Sequence, residues 1–170
     1  NDSVPDAALV WPNEKVYIVY YKVTKPTKYQ LEAILNKTRD VVWIDHHKSS
    51  EEFVKEDREF FTVFENRWCD TNIPFPDKII DTNKSGAMLV WKWFNPKVKA
   101  PEYIKYIDDY DRWVHQYEES MFFKYYMDSY NHYPWEDIWE SLMYADMNKI
   151  TEEGKAIKRF ADSQDTKYAK

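Results

Sequence analysis

The sequence predicts an α/β domain with a mainly parallel sheet flanked by helices and a helical C-terminal half. Three observations carry this. Short β-branched and aromatic runs alternate with helix-like periodicity in the first half, and only helical patterns follow, the order expected of a parallel sheet with crossover helices. The third is bulk: 170 residues match about one domain, and a chain of that size buries enough surface to hold a core without staples.

Val16-Tyr17-Ile18-Val19-Tyr20 reads as a buried strand. Pro26-Thr27 then opens a helix in which Leu31, Ile34 and Leu35 recur at i, i+3, i+4. Val41-Val42-Trp43-Ile44 is a second strand, closed by Asp45. Ser49 with Glu52 forms a capping-box signature for the next helix. Phe60 to Phe64 reads as a further strand and Lys78-Ile79-Ile80 as another short one. Ser85 to Phe94 is predicted helical, and Pro101 starts a helix at its first turn. Trp135, Ile138, Trp139 and Leu142 mark an amphipathic helix after Pro134, and Ile150 to Phe160 the last one, with a polar tail from Ala161 to Lys170. A single domain over 1–170 is expected. Its first strand would precede residue 1, since the chain begins where a turn should follow a strand.

Composition narrows the function classes. The 24 basic side chains against 30 acidic ones leave a net charge of −6. This argues against duplex DNA as a partner, because phosphate neutralisation needs a basic footprint. One cysteine, Cys69, excludes an internal disulfide framework and a Cys-based zinc site. No apolar run reaches the roughly 20 residues of a membrane span. Eight Trp, 14 Tyr and 9 Phe exceed what a core of this size needs, so an aromatic-rich surface for protein partners is expected. The chain opens at Asn1 with neither an initiator Met nor a signal-peptide pattern. Processing or a boundary upstream is expected, and with it an intracellular or, after processing, organellar location.

Chemistry concentrates in Asp45-His46-His47-Lys48-Ser49, at the C-terminal end of a predicted strand. In open α/β sheets that edge binds ligands, and Asp and His side chains converging there suit Mn²⁺ or a similar cation. The competing reading is an Asp that caps the next helix beside histidines satisfied by backbone. Ser85-Gly86-Ala87 sets small residues at a helix start, either as an anion nest or to let the helix pack closely on the sheet. Lys48 is placed to contact a phosphate, or is an ordinary surface lysine. Asp108, Asp109 and Asp111 cluster at the end of an apolar helix, where solvated charge is the usual reading. His115 and His132 read as packing or surface residues, and nothing in the sequence activates Cys69.

Taken in order, I-D-H-H-K-S, S-G-A-x-L-x-W and Y-I-x-D-x-D-x-W resemble the DHH phosphoesterase superfamily, nearest its small oligoribonucleases and cyclic-nucleotide phosphodiesterases. Ile150-Thr151-Glu152-Glu153-Gly154-Lys155-Ala156-Ile157 is similar to the helix that closes the DHH domain. The resemblance spans nearly the whole chain. It implies a two-metal phosphoesterase, usually with Mn²⁺, in which a bridging hydroxide attacks phosphorus, and a second domain that closes over the substrate and has no counterpart in this chain.

Laid residue by residue on this sequence, the resemblance implies Asp6, Asp45, His46 and Asp109 as metal ligands, with Asp111 competing for the last place. His46 and His47 would be the catalytic pair, and Lys48, Ser85 and Gly86 the phosphate contacts. It also marks three lost ligand positions. Asn1 stands for the first-motif His, Ser3 for its first Asp, and Tyr20 for the carboxylate that bridges both metals; Ala7 replaces the motif's Gly. A shifted register offers Asp2 as a substitute, one residue too far from Asp6. The lost positions belong to one metal and the retained ones to the other. A phenol with a pKa near 10 does not bridge two cations as a carboxylate does. The expectation is a hydrolytically impaired domain holding at most one Mn²⁺ or Mg²⁺ weakly, or none, and serving as a structural or binding subunit. The alternative is a working Mn²⁺-dependent phosphodiesterase acting on a short oligonucleotide or cyclic nucleotide.

Overall fold

In the computed structural model, residues 6–67, 77–131, 133 and 135–168 are described. Asn1, Asp2, Ser3, Cys69 and His132 lie outside them. The contacts group the chain into two compact units, Asn1–Val90 and Trp91–Lys170, with the boundary inside helix α4 (Gly86–Phe94).

The first unit is built on a three-stranded parallel sheet in the order β1-β2-β3: β1 Val16–Val19, β2 Val41–Asp45 and β3 Asp77–Ile80. Val19 pairs with Ile44 and Asp45 with Ile80, so the C-terminal ends of the strands are level. Helix α1 (Lys28–Leu35) buries Leu31, Ile34 and Leu35 at the predicted spacing. Helices α2 (Lys48–Glu56) and α3 (Arg58–Arg67) follow β2. Trp43 has no exposed surface and packs on Phe53, ring centroids 6.5 Å apart.

Three expectations for this unit are corrected. Phe60 to Phe64 is not a strand but part of α3. A strand would send Phe60 and Phe61 to opposite faces, whereas about 100° of helical rotation lets both reach Phe53, at 5.5 and 5.4 Å. Strand β1 is not buried throughout: only Ile18 is, while Tyr17 and Val19 are exposed, because successive side chains alternate faces and the core takes the face of Val16 and Ile18. Helix α2 starts one residue before the predicted Ser49 cap. His47 takes the cap position, and its carbonyl accepts from Ser50 and Glu51.

The second unit is helical. It contains α5 (Glu102–Asp111), α6 (Glu118–Asp128), the short α7 (Ile138–Leu142) and α8 (Met147–Tyr168) around Tyr106, Phe123, Tyr126, Met127, Leu142 and Ile150. Pro101 is the residue just before α5. Helix α6 was not foreseen, although Ser120, Phe123, Tyr126 and Met127 are its buried face and Glu118 and Glu119 sit in its first turn. Helix α7 is shorter than the aromatic pattern suggested: Trp135 lies outside it, exposed, and stacked on Tyr133 at 5.1 Å. Helix α8 carries on through most of the expected polar tail. It crosses α6 closely. A Cβ on buried Gly154 would stand 1.9 Å from the Phe122 carbonyl oxygen, so the contact is backbone against backbone.

Candidate functional site

The level strand ends of the first unit bring together Tyr20, Asp45-His46-His47 and Ser85-Gly86. Tyr20 directly follows β1, and its N–H donates to the Ile44 carbonyl at 3.0 Å. Asp81 directly follows β3, and its N–H donates to the Asp45 carbonyl at 3.2 Å. Two buried groups fix the loop after Tyr20. The Trp43 indole N–H donates to the Tyr21 carbonyl at 3.1 Å. The Ser50 hydroxyl accepts from the Val23 N–H at 3.1 Å and donates to the Val23 carbonyl. That loop begins with Tyr20 at φ 56°, a left-handed conformation uncommon for a bulky aromatic. The strain is held by the bonds on either side of it.

Asp45 is fully buried. Its Oδ1 accepts from His47 Nδ1 at 2.7 Å, while Oδ2 is buried without a hydrogen-bond partner. A carboxylate in this position orients the imidazole and selects the tautomer protonated on Nδ1. It does not cap α2, as the competing reading had it. His47 is a third exposed. The Tyr20 ring stacks on His46 (4.9 Å, 29°) and meets His47 edge-on (5.4 Å, 70°), and the two imidazoles lie 4.8 Å apart. Beneath the phenol is Gly86, where a Cβ would come within 2.3 Å of Tyr20 Cδ2. The small residue at the start of α4 thus makes room for the Tyr20 ring.

Ser85 is fully buried and its hydroxyl accepts from the Met88 N–H at 3.2 Å, capping α4. Lys48 is exposed and reaches Glu52 at 3.8 Å. Asp6 is exposed and caps the turn Ala7–Leu9, accepting from the Ala8 N–H at 2.8 Å. Among the described residues, no group of three or more His, Cys, Asp or Glu side chains stands where it could hold a metal ion.

The acids of the second unit have separate roles. Asp108 pairs with Arg112 at 3.3 Å. Asp109 is buried and binds the start of α6: Oδ1 accepts from the Gln116 N–H (2.8 Å), and Oδ2 from the Ser120 hydroxyl (2.6 Å) and the Tyr117 N–H (3.3 Å). Burial acts to raise its pKa, but the bonds from Ser120, Gln116 and Tyr117, with His115 nearby, outweigh it and hold the carboxyl below its ordinary value. Asp111 lines a cavity between α5 and α6. His115 is exposed and lies edge-on to Tyr110 and Trp113.

Sequence reasoning named every polar member of the strand-end cluster, but treated Tyr20 only as a missing ligand. Its packing role had one available signal, the pairing of an aromatic after β1 with a glycine at the start of α4. No helix among the described residues is long and apolar enough to cross a membrane. Comparison with known proteins finds no match: no family model, no curated protein and no solved structure is similar to this chain.

Proposed function

We propose that this chain is a DHH phosphoesterase-like domain with impaired two-metal chemistry, kept as a structural or binding component of a larger assembly. The observation that carries this reading is Tyr20. The residue standing for the bridging carboxylate directs a phenol ring onto both imidazoles of the Asp-His-His element. A cation bound to His46 and bridged from that position would need an anionic oxygen where the ring now lies.

The donor set as arranged does not fit a divalent pair. One oxygen of Asp45 is engaged by His47. The Asp109 carboxylate accepts from three donors. Tyr20 presents the face and edge of its ring to the imidazoles in place of a carboxylate. A single Mn²⁺ or Mg²⁺, held weakly through Asp45 Oδ2, is the most this arrangement supports. The exposed aromatics Trp11, Trp113, Trp135 and Tyr144 favour a protein partner over a free nucleotide.

The test is Mn²⁺ stoichiometry measured together with cleavage of an RNA dinucleotide, using His46→Ala as control and Tyr20→Asp as a restoring variant. One ion or none, no cleavage, and tighter Mn²⁺ binding by Tyr20→Asp are expected. Two tightly bound ions in the unaltered chain, with cleavage abolished by His46→Ala, would overturn the reading in favour of a working phosphodiesterase.

A further inference from the structure

The second unit contains a cavity of about 240 Å³ formed by α5, α6 and α7, at a distance in sequence from the Asp-His-His element. It exceeds the roughly 150 Å³ that suffices for an apolar cavity to admit benzene. Its walls are aromatic: Tyr106, Tyr110, Phe123 and Trp139 all line it. Its charged lining is two carboxylates, Asp111 and Asp128, against one ammonium, Lys124. Aromatic ring faces favour a cation over an anion or a neutral guest.

The chain already places a cation there. Lys124 Nζ lies 5.6 Å from the Tyr110 ring centroid and forms an ion pair with Asp128. Contact with Asp128 raises the Lys124 pKa, so the ammonium stays charged at neutral pH. Tyr110 is backed by Trp113, stacked at 6.2 Å and 27°. Trp113 and His115 both have positive φ, 57° and 51°, in a turn tied down by the Asp109 carboxylate and by the Val114 N–H bond to the Asp109 carbonyl. This turn holds Trp113 against Tyr110, which lines the cavity.

We infer that this cavity binds a small organic ammonium ion, its methyl or alkyl groups against the four rings and its charge directed toward the carboxylates. Lys124 is the resident competitor, and a guest must displace or neighbour it. The inference is independent of the strand-end cluster, because none of the cavity's residues belongs to the first unit.

The experiment is titration of the full chain with choline and with its neutral isostere, 3,3-dimethylbutan-1-ol, followed through the Trp139 indole N–H resonance. Saturable choline binding is expected, with the isostere about tenfold weaker. Tyr110→Leu should weaken choline binding about tenfold, with thermal melting of the variant as the folding control. Lys124→Gln should strengthen it several-fold, which loss of a merely structural contact would not do. Equal binding of choline and isostere, no saturable shift with either, or unchanged or weaker choline binding by Lys124→Gln would each overturn the assignment.

Discussion

Replacing Asp109 separates a metal ligand from a helix anchor. Its carboxylate satisfies two N–H groups at the start of α6 and the buried Ser120 hydroxyl. Hydrogen bonds to a charged acceptor contribute about 1.5–3 kcal/mol each, and leaving a buried donor unsatisfied costs about 1–3 kcal/mol. The bond at 3.3 Å counts least. Asp109→Ala orphans the donors and opens a small void, for an expected loss of about 3–5 kcal/mol. Asp109→Asn keeps one acceptor oxygen but turns an amide toward a donor, for about 2–3 kcal/mol. Because the folded pKa is depressed, the stabilisation is fully present above the unfolded value near 3.9 and disappears as pH falls through the folded value. Urea unfolding followed by circular dichroism at pH 7 and near pH 3 is the assay. The gap between the unaltered chain and Asp109→Asn should be wide at pH 7 and narrow in acid. A variant as stable as the parent at pH 7 but poorer at binding Mn²⁺ would refute the anchoring argument and restore Asp109 as a ligand.

Gly154→Ala should destabilise the second unit despite the roughly 1 kcal/mol that alanine gains in a helix, since its Cβ would overlap the Phe122 carbonyl; a melting temperature equal to or above the parent's would count against the close crossing. Gly86→Ala should be costly with Tyr20 present and nearly neutral in a Tyr20→Ala background, so a double-mutant cycle should give a coupling of about 1–3 kcal/mol; additive effects would deny the contact. Trp43→Ala removes a fully buried ring and its bond to the Tyr21 carbonyl and should cost about 3–5 kcal/mol in urea unfolding. Burial pushes Tyr106 and Tyr126 up to about 12 and raises Tyr103 as well, so ultraviolet titration should show a group of phenols that ionise late. Their contribution to stability is complete below pH 10 and lost as pH rises toward 12; titration of every tyrosine near 10 without unfolding would contradict their burial.

How much of this fold was legible depends on whether local pattern and burial agreed. Helix α1 was readable because Leu31, Ile34 and Leu35 recur at helical spacing and all three are buried. Strand β2 was readable because a short run that is apolar throughout suits a central strand buried on both faces. Helix α3 was misread because Phe60, Phe61, Val63 and Phe64 have high strand propensity, and propensity loses when tertiary packing rewards the other geometry. In α6 the polar and aromatic residues are mixed. Phe123 and Tyr126 are buried while Phe122 and Tyr125 are only half-buried, so aromatics no longer distinguish the inner face from the outer one. In a chain where 18% of residues are aromatic, large apolar side chains alone no longer mark the core.

The candidate site divides in the same way. Asp45, His46 and His47 were legible because acidic and imidazole side chains directly after a buried strand have few structural reasons to be there. The same logic led to Asp109, yet its environment differs in kind. The Asp45 carboxylate keeps one buried oxygen without a hydrogen-bond partner, whereas both oxygens of Asp109 accept from the start of the next helix. A carboxylate that anchors a helix and one that holds a cation look alike in sequence, because both need a buried acid beside a helix end. Only the donors around them tell the two apart, and for Asp109 those donors, Gln116, Tyr117 and Ser120, come 7 to 11 residues later. Tyr20 shows the converse. Read as a lost ligand it is a deficit, but its ring fills the space over Gly86 and covers both imidazoles. Restoring a carboxylate there therefore removes packing as well as adding charge. Tyr20→Asp should bind Mn²⁺ more tightly and unfold more easily, and the two effects should be separable by adding the ion during unfolding, because only binding to the folded state recovers stability as Mn²⁺ rises.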